Sequence, residues 1–331
     1  MVETLLARCE LFARNLEMMK QSFKWESSQL YPLCANIYTQ NGIELEPKRI
    51  KTSKDIIKEN TNFFSNFRST TTTILLATLL SIENNPQEVF TEVYNTYEML
   101  KEVFSSSSYL TLAAYMIVKL SSPEYYESVT NQTREIFDMI KKEHFFLTSS
   151  EDCLIAVLFA LNSKIHNDTI STSQILFEML KPVISHGNTV QAISNILALS
   201  DKDTKLLADK TTAIIYVLRT HGYKLTSGVD MAVFGALAIS DISVEQIVKD
   251  ILEVNAYLLT VKGFGNVLTE SKIMDPKLLP KRRLIHSAII VLNEYAKKAR
   301  DNSDSNTASE LNSAELMATL YSIISFSPSN V

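Results

Sequence analysis

Glycine and proline are scarce in this chain, at 7 and 8 of 331 residues. A sheet with many tight turns needs more of both, because glycine supplies the positive φ and proline the fixed φ that such turns demand. Strict apolar–polar alternation of the strand type never extends beyond a few residues. The three cysteines, Cys9, Cys34 and Cys153, have neither disulfide-like nor metal-like spacing, which suits a reducing cytosol. Cys34 and Cys153 fall within apolar helical stretches and read as small buried hydrophobes. No apolar run approaches the roughly 20 residues of a membrane span; the stretch 110–120 is short and carries Lys119. Glu3 and Glu10 interrupt the start, which argues against a signal peptide. A net charge of −5 makes general nucleic-acid binding a poor expectation.

Chemistry-bearing motifs are equally thin. There is no HExxH, no GxSxG elbow and no glycine-rich phosphate loop, since Gly263-Phe264-Gly265 lacks the remaining glycines and a following Lys-Ser or Lys-Thr. No catalytic, cofactor-binding or metal-binding residue is therefore assigned.

What the chain does have is a recurring short apolar segment ending in Leu-Ser or a close relative. It appears at Leu80-Ser81, Leu120-Ser121, Leu161-Asn162, Leu199-Ser200 and Ile239-Ser240, at intervals of 40, 41, 38 and 40 residues. Counting back from each Leu or Ile, positions −3, −6 and −7 lie on one helical face. They hold apolar or small residues in four of the five copies, with Thr73 the one polar exception. After each anchor the spacing predicts a second, longer helix. Pro86 opens one, and Phe90, Val93, Tyr97, Leu100 and Phe104 stripe it. Ser243 with Gln246, and Ser171 with Gln174, look like capping boxes. Gly187, Gly222 and Gly263 look like C-terminal stops. The expectation is an all-α chain of tandem helical hairpins of about 40 residues, an α-solenoid or α/α superhelix-like array.

The array is expected to run as a single body over 1–331. Residues 1–68 are a diverged N-terminal copy, with helices at 2–23, 27–40 and 54–66 and a polar loop at 44–53. Phe63 and Phe64 fall inside the helix 54–66, and Phe67 just past its end. The core repeats occupy 69–262. The segment 263–331 is irregular, with a helix at 282–298, a polar linker at 299–309 and a capping helix at 311–325.

Two side chains stand out as partner contacts. Trp25 lies between charges at a helix junction, and Arg68 ends a phenylalanine-rich stretch; Trp and Arg are favoured interface anchors. A packed Trp and an Arg capping carbonyls are the plainer readings. His144, His186 and His221 fall near the ends of second helices, where an imidazole meets the negative end of the dipole. Ser69–Thr73 reads as a cap and first turn, and the cluster Lys277, Lys281, Arg282 and Arg283 as a solvated helix start.

Glu59–Arg68, ENTNFFSNFR, and Ser108–Ala114, SYLTLAA, resemble a bacterial family, mainly from Gram-positive species, of uncharacterised all-helical proteins carrying a domain of unknown function. The resemblance extends over most of the chain. It implies an intracellular, all-helical bacterial protein and supplies neither an activity nor site residues. Together these readings predict a cytoplasmic helical-repeat protein that binds a protein or peptide, without membrane and with nucleic acid an unlikely partner. The alternative is an enzyme or small-molecule binder with its site in the concave face of the array.

Overall fold

The computed structural model describes residues 1–24, 28–143, 152–161, 166–262, 264, 279–302 and 305–326. Among them lie fifteen α-helices and no strand. In chain order these are α1 Glu3–Ser22, α2 Tyr31–Gln40, α3 Pro47–Glu59, α4 Thr70–Ser81, α5 Pro86–Val103, α6 Ser108–Leu120, α7 Tyr126–Glu143 and α8 Cys153–Leu161. There follow α9 His166–Leu180, α10 Gly187–Leu197, α11 Thr204–Thr220, α12 Ala232–Ile239, α13 Val244–Leu258, α14 Leu279–Asp301 and α15 Ser305–Phe326. The protein is all-α.

Each of the five anchors is a helix: α4, α6, α8, α10 and α12. All are sunk in the core over most of their length, although the anchor residue Leu120, at the end of α6, is 48% exposed. In α8 every residue from Cys153 to Ala160 is buried, and in α12 every residue from Ala232 to Ile239. The second helices are amphipathic instead, burying one stripe each: Phe90, Val93, Thr96, Tyr97 and Leu100 in α5; Ile247, Val248, Ile251, Val254 and Leu258 in α13. Pro86 sits in the first turn of α5, where its missing N–H costs nothing. Ser69 and Ser243 cap α4 and α13 by accepting from Thr72 N and Gln246 N at 3.2 and 3.3 Å. The Gln246 side chain turns along the helix, its Nε2 donating to Asp250 Oδ1 at 2.8 Å, and does not reach back to the cap.

The chain forms two compact units. One comprises Glu17–Tyr38 and Leu45–Thr169. Within it α4 packs on α6 and α6 on α8, while α3 packs on α5 and α5 on α7. Polar ties join neighbouring hairpins there. Glu83, just after α4, accepts from Tyr115 Oη and Lys119 Nζ of α6, both at 2.8 Å. Its backbone carbonyl accepts from Arg49 Nη2 of α3 at 2.7 Å.

The other unit comprises Met1–Leu16, Thr39–Glu44 and Ile170–Val331. Here α10 packs on α12, α11 on α13, and α14 on α13, α12 and α15. Gly235 permits the close approach of α12 to α10: a Cβ on it would lie 3.1 Å from Ile193 Cγ2. Lys202, after α10, reaches the end of α12 at Ile239 O (2.6 Å) and Asp241 Oδ1 (2.5 Å).

Several expected boundaries are corrected. The helix placed at 54–66 runs from Pro47 to Glu59, so 47–53 is helix and 60–65 is not. Proline at N1 starts it two turns early. It stops because the Asn60 and Thr61 side chains turn back onto the carbonyls of Ile56 and Ile57. Ser171 lies inside α9 and cannot cap it. Gly187 opens α10 instead of closing a helix, whereas Gly222 follows α11 at φ +90°, as a C-terminal stop should. The linker expected at 299–309 is mostly helix: α14 continues to Asp301 and α15 begins at Ser305. Short polar residues there favour a loop by propensity, but α15 packs on α10, α12 and α14, and packing outweighs propensity. Gly263, His144 and Trp25 lie outside the described residues.

Candidate interaction site: the loop between α3 and α4

Residues 60–69 connect α3 to α4 and carry the most exposed large apolar side chains described. Phe63 is 80% and Phe64 96% exposed, while Phe67, three residues on, is fully buried. The reversal within one short loop has a clear local cause. Phe67 anchors the loop in an aromatic cluster, 4.8 Å from the Tyr97 ring and 5.6 Å from that of Phe90, both near edge-to-face. Asn66 Nδ2 donates to Tyr97 Oη at 3.0 Å and to Ser106 Oγ at 2.6 Å. Ser65 N donates to Asn62 O and Arg68 N to Ser65 O, closing one turn around Phe63 and Phe64 and the next around Asn66 and Phe67.

Arg68 closes the other side. Its Nε donates to Thr61 Oγ1 at 2.9 Å and its Nη2 to Thr61 O at 2.8 Å; Nη2 also donates to the carbonyl of Lys58 in the last turn of α3. A guanidinium there satisfies helix-end carbonyls and complements the negative end of the helix dipole. Arg68 is thus placed to hold the loop by its base. Thr73 Oγ1 adds a bond to Phe67 O at 2.8 Å, so the first turn of α4 is tied in as well.

Phe63 and Phe64 are therefore displayed by a framework pinned on both flanks. They also pack on each other edge-to-face, with ring centroids 5.4 Å apart. An exposed loop with this many bonds beneath it presents a preformed apolar wedge. Burying both rings would be worth roughly 3–6 kcal/mol. The sequence signal that could have exposed this site is Asn60-Thr61-Asn62, three turn-forming residues ahead of the phenylalanines.

The remaining candidates lie elsewhere. His221 caps α11, its Nδ1 2.9 Å from Val217 O, and His186 sits at the N-cap of α10. His286 packs beside the rings of Phe12 and Phe264, which also touch each other, and burial, reinforced by the Arg282 charge, pushes its pKa down to about 3, so it is neutral. Lys281 pairs with buried Asp230 at 2.8 Å, and Arg283 donates to Asn255 Oδ1 and Phe264 O. Lys277 lies outside the described residues; of the rest of that basic cluster, Lys281 and Arg283 are built into the fold and not a solvated helix start.

Buried carboxylates carry no signal in the sequence, and two of them, Glu294 and Glu315, sit beside arginines. Glu294 accepts from Arg8 Nε at 3.0 Å, with both side chains buried. Burial works to raise its pKa, but hydrogen bonds from Thr4 and Arg8 and the Arg8 and Lys298 charges outweigh it, and the group stays ionised below the usual range. Glu315 of α15 is 1% exposed; burial pushes its pKa up to about 7 against Arg300, Gln40 and Arg8. Arg300 Nη1 approaches Glu315 Oε2 at 3.4 Å. Among the described residues no group of three or more His, Cys, Asp or Glu could hold a metal ion, and no helix is long and apolar enough to cross a membrane.

The chain is 27% identical over 203 residues to the uncharacterised protein YeaA of Bacillus subtilis (strain 168), an alignment covering 57% of this chain and 59% of that relative. No solved structure matches it. The model of a family of proteins of unknown function, DUF4003, matches residues 15–326, and this chain belongs to that family.

Proposed function

We propose that this chain is a cytoplasmic interaction module that binds a protein or peptide partner, with Phe63 and Phe64 as the anchor. The exposure of both rings on a hydrogen-bonded loop carries the reading. Contiguous exposed apolar surface rimmed by polar residues marks interaction sites more often than scattered single side chains do, and interface energy concentrates in a few large side chains. Arg68 contributes by positioning the loop, and Trp25 is a second candidate anchor.

The scaffold in this reading is a tandem array of hairpins. Its support is the contact order α4–α6–α8 and α3–α5–α7 in one unit, and α10–α12 and α11–α13 in the other. Ties between residues about one repeat apart point the same way: Thr189 with Gly228, and Lys202 with Asp241.

Chemical crosslinking of the full chain in the bacterium that makes it tests the proposal. A discrete heavier adduct is expected, and the double variant Phe63→Ser/Phe64→Ser should lose it while keeping the native melting curve. No adduct, or one indifferent to both substitutions, would overturn the reading.

A further inference from the structure

We infer that the partner receives Phe63 and Phe64 in an apolar cleft rimmed by carboxylates, which face the cationic side of α3. This rests on the interaction reading above and names the partner's chemistry.

Shape comes first. The two rings project from a loop whose base is fixed by Arg68, Asn66 and Phe67. A preorganised projection calls for a concave receptor, and little ordering cost remains to be met on binding. The two rings stand edge-to-face, at right angles to each other and 5.4 Å apart, so they do not form the row of successive stacking platforms along which single-stranded nucleic acid is bound.

Charge comes second. α3 carries Lys48, Arg49, Lys51, Lys54 and Lys58 against Asp55 and Glu59, a local excess of three positive charges on a chain of net −5. Lys51 and Lys58 are exposed, two turns apart on one side of the helix, and Lys58 lies in the last turn before the wedge. A carboxylate rim on the partner complements them and sets its orientation.

An anionic bilayer fits less well. The apolar face of α3, Ile50, Ser53, Ile56 and Ile57, is buried, so no helix is left to lie in the interface plane. The five cations of α3 reach the number found in lipid-binding clusters, but Arg49 is spent on the Glu83 carbonyl and Lys58 lies 3.8 Å from Asp55, so the helix offers no unbroken polybasic face.

The test places the photoreactive residue p-benzoylphenylalanine at position 64 of the full chain in the producing bacterium, followed by sequencing of the crosslinked segment. The expected adduct is a protein segment in which apolar residues are flanked by at least two Asp or Glu. Its yield should fall about tenfold in the Lys51→Glu/Lys58→Glu background and recover with Lys51→Arg/Lys58→Arg. Matching melting curves of these variants establish that the fold is kept. A protein adduct indifferent to charge reversal overturns the acidic rim while leaving the interaction reading standing. Adducts to phospholipid or nucleic acid alone, or none, overturn both.

Discussion

Replacing Glu315 with glutamine should stabilise the protein at pH 8 and leave it unchanged near pH 4.5. Glu315 lies on α15, almost fully buried, with Arg300 at 3.4 Å, Gln40 in hydrogen-bond contact and the Arg8 charge nearby. Those partners favour the carboxylate, yet burial dominates and holds the pKa up at about 7 against an ordinary 4.5. The folded chain therefore keeps a proton that the unfolded chain releases above pH 4.5. The stabilisation that this proton confers is complete below about 4.5, is lost as the pH climbs to about 7, and stays lost above it. At about 1.4 kcal/mol per pH unit, the whole span amounts to roughly 3 kcal/mol. Glutamine imitates the protonated acid in shape and cannot ionise, so Glu315→Gln should recover most of that at pH 8. For a unit of this size the rise in melting temperature would be roughly 5–10 °C. Arg300 is more than one-third exposed and can hydrate once its partner loses charge. Thermal unfolding of both proteins, followed by circular dichroism at pH 4.5, 6 and 8, would trace the difference. Equal melting temperatures at every pH, or a variant less stable at pH 8, would refute the argument that burial outweighs Arg300 and Arg8.

The neighbouring pair Arg8–Glu294 behaves in the opposite sense. Arg8→Ala should cost about 3 kcal/mol in urea unfolding, because it leaves the buried Glu294 carboxylate with only Thr4 and the half-exposed Lys298 beside it, and the double variant Arg8→Met/Glu294→Met should regain much of the loss. Gly228, at φ +117°, lies where a Cβ would strike the paired Asp230 and Lys281 side chains, whereas Gly222, at φ +90°, faces open space. Gly228→Ala should therefore destabilise by about 2 kcal/mol or more, and Gly222→Ala by about 1 kcal/mol, read from denaturant midpoints. Phe67→Ala should cost about 3–5 kcal/mol. Phe63→Ser and Phe64→Ser should each stay within about 0.5 kcal/mol, a contrast that fixes which phenylalanines the fold uses.

The five anchors were legible because they are buried on nearly every side and fall at almost constant spacing, so their apolar runs recur without much competing signal. The loop from Asn60 to Ser69 was not, because apolar character alone cannot separate a core phenylalanine from a displayed one. Phe63, Phe64 and Phe67 are chemically identical in the sequence. What sorts them is the reach of Arg68 back to the end of α3 and the fit of Phe67 against Tyr97, both of which exist only after α3, α4 and α5 have packed. The same limit hid Arg8 and Glu294, whose partnership spans 286 residues. Local pattern reports which side chains must leave water; long-range packing decides which exceptions a fold retains. Among the described residues two such exceptions are a buried carboxylate with its pKa near neutrality and a pair of aromatic rings in solvent. The first acts through stability with pH. The second leaves apolar surface that the described residues do not cover, and that surface is the physical basis of the proposal that the chain binds a partner.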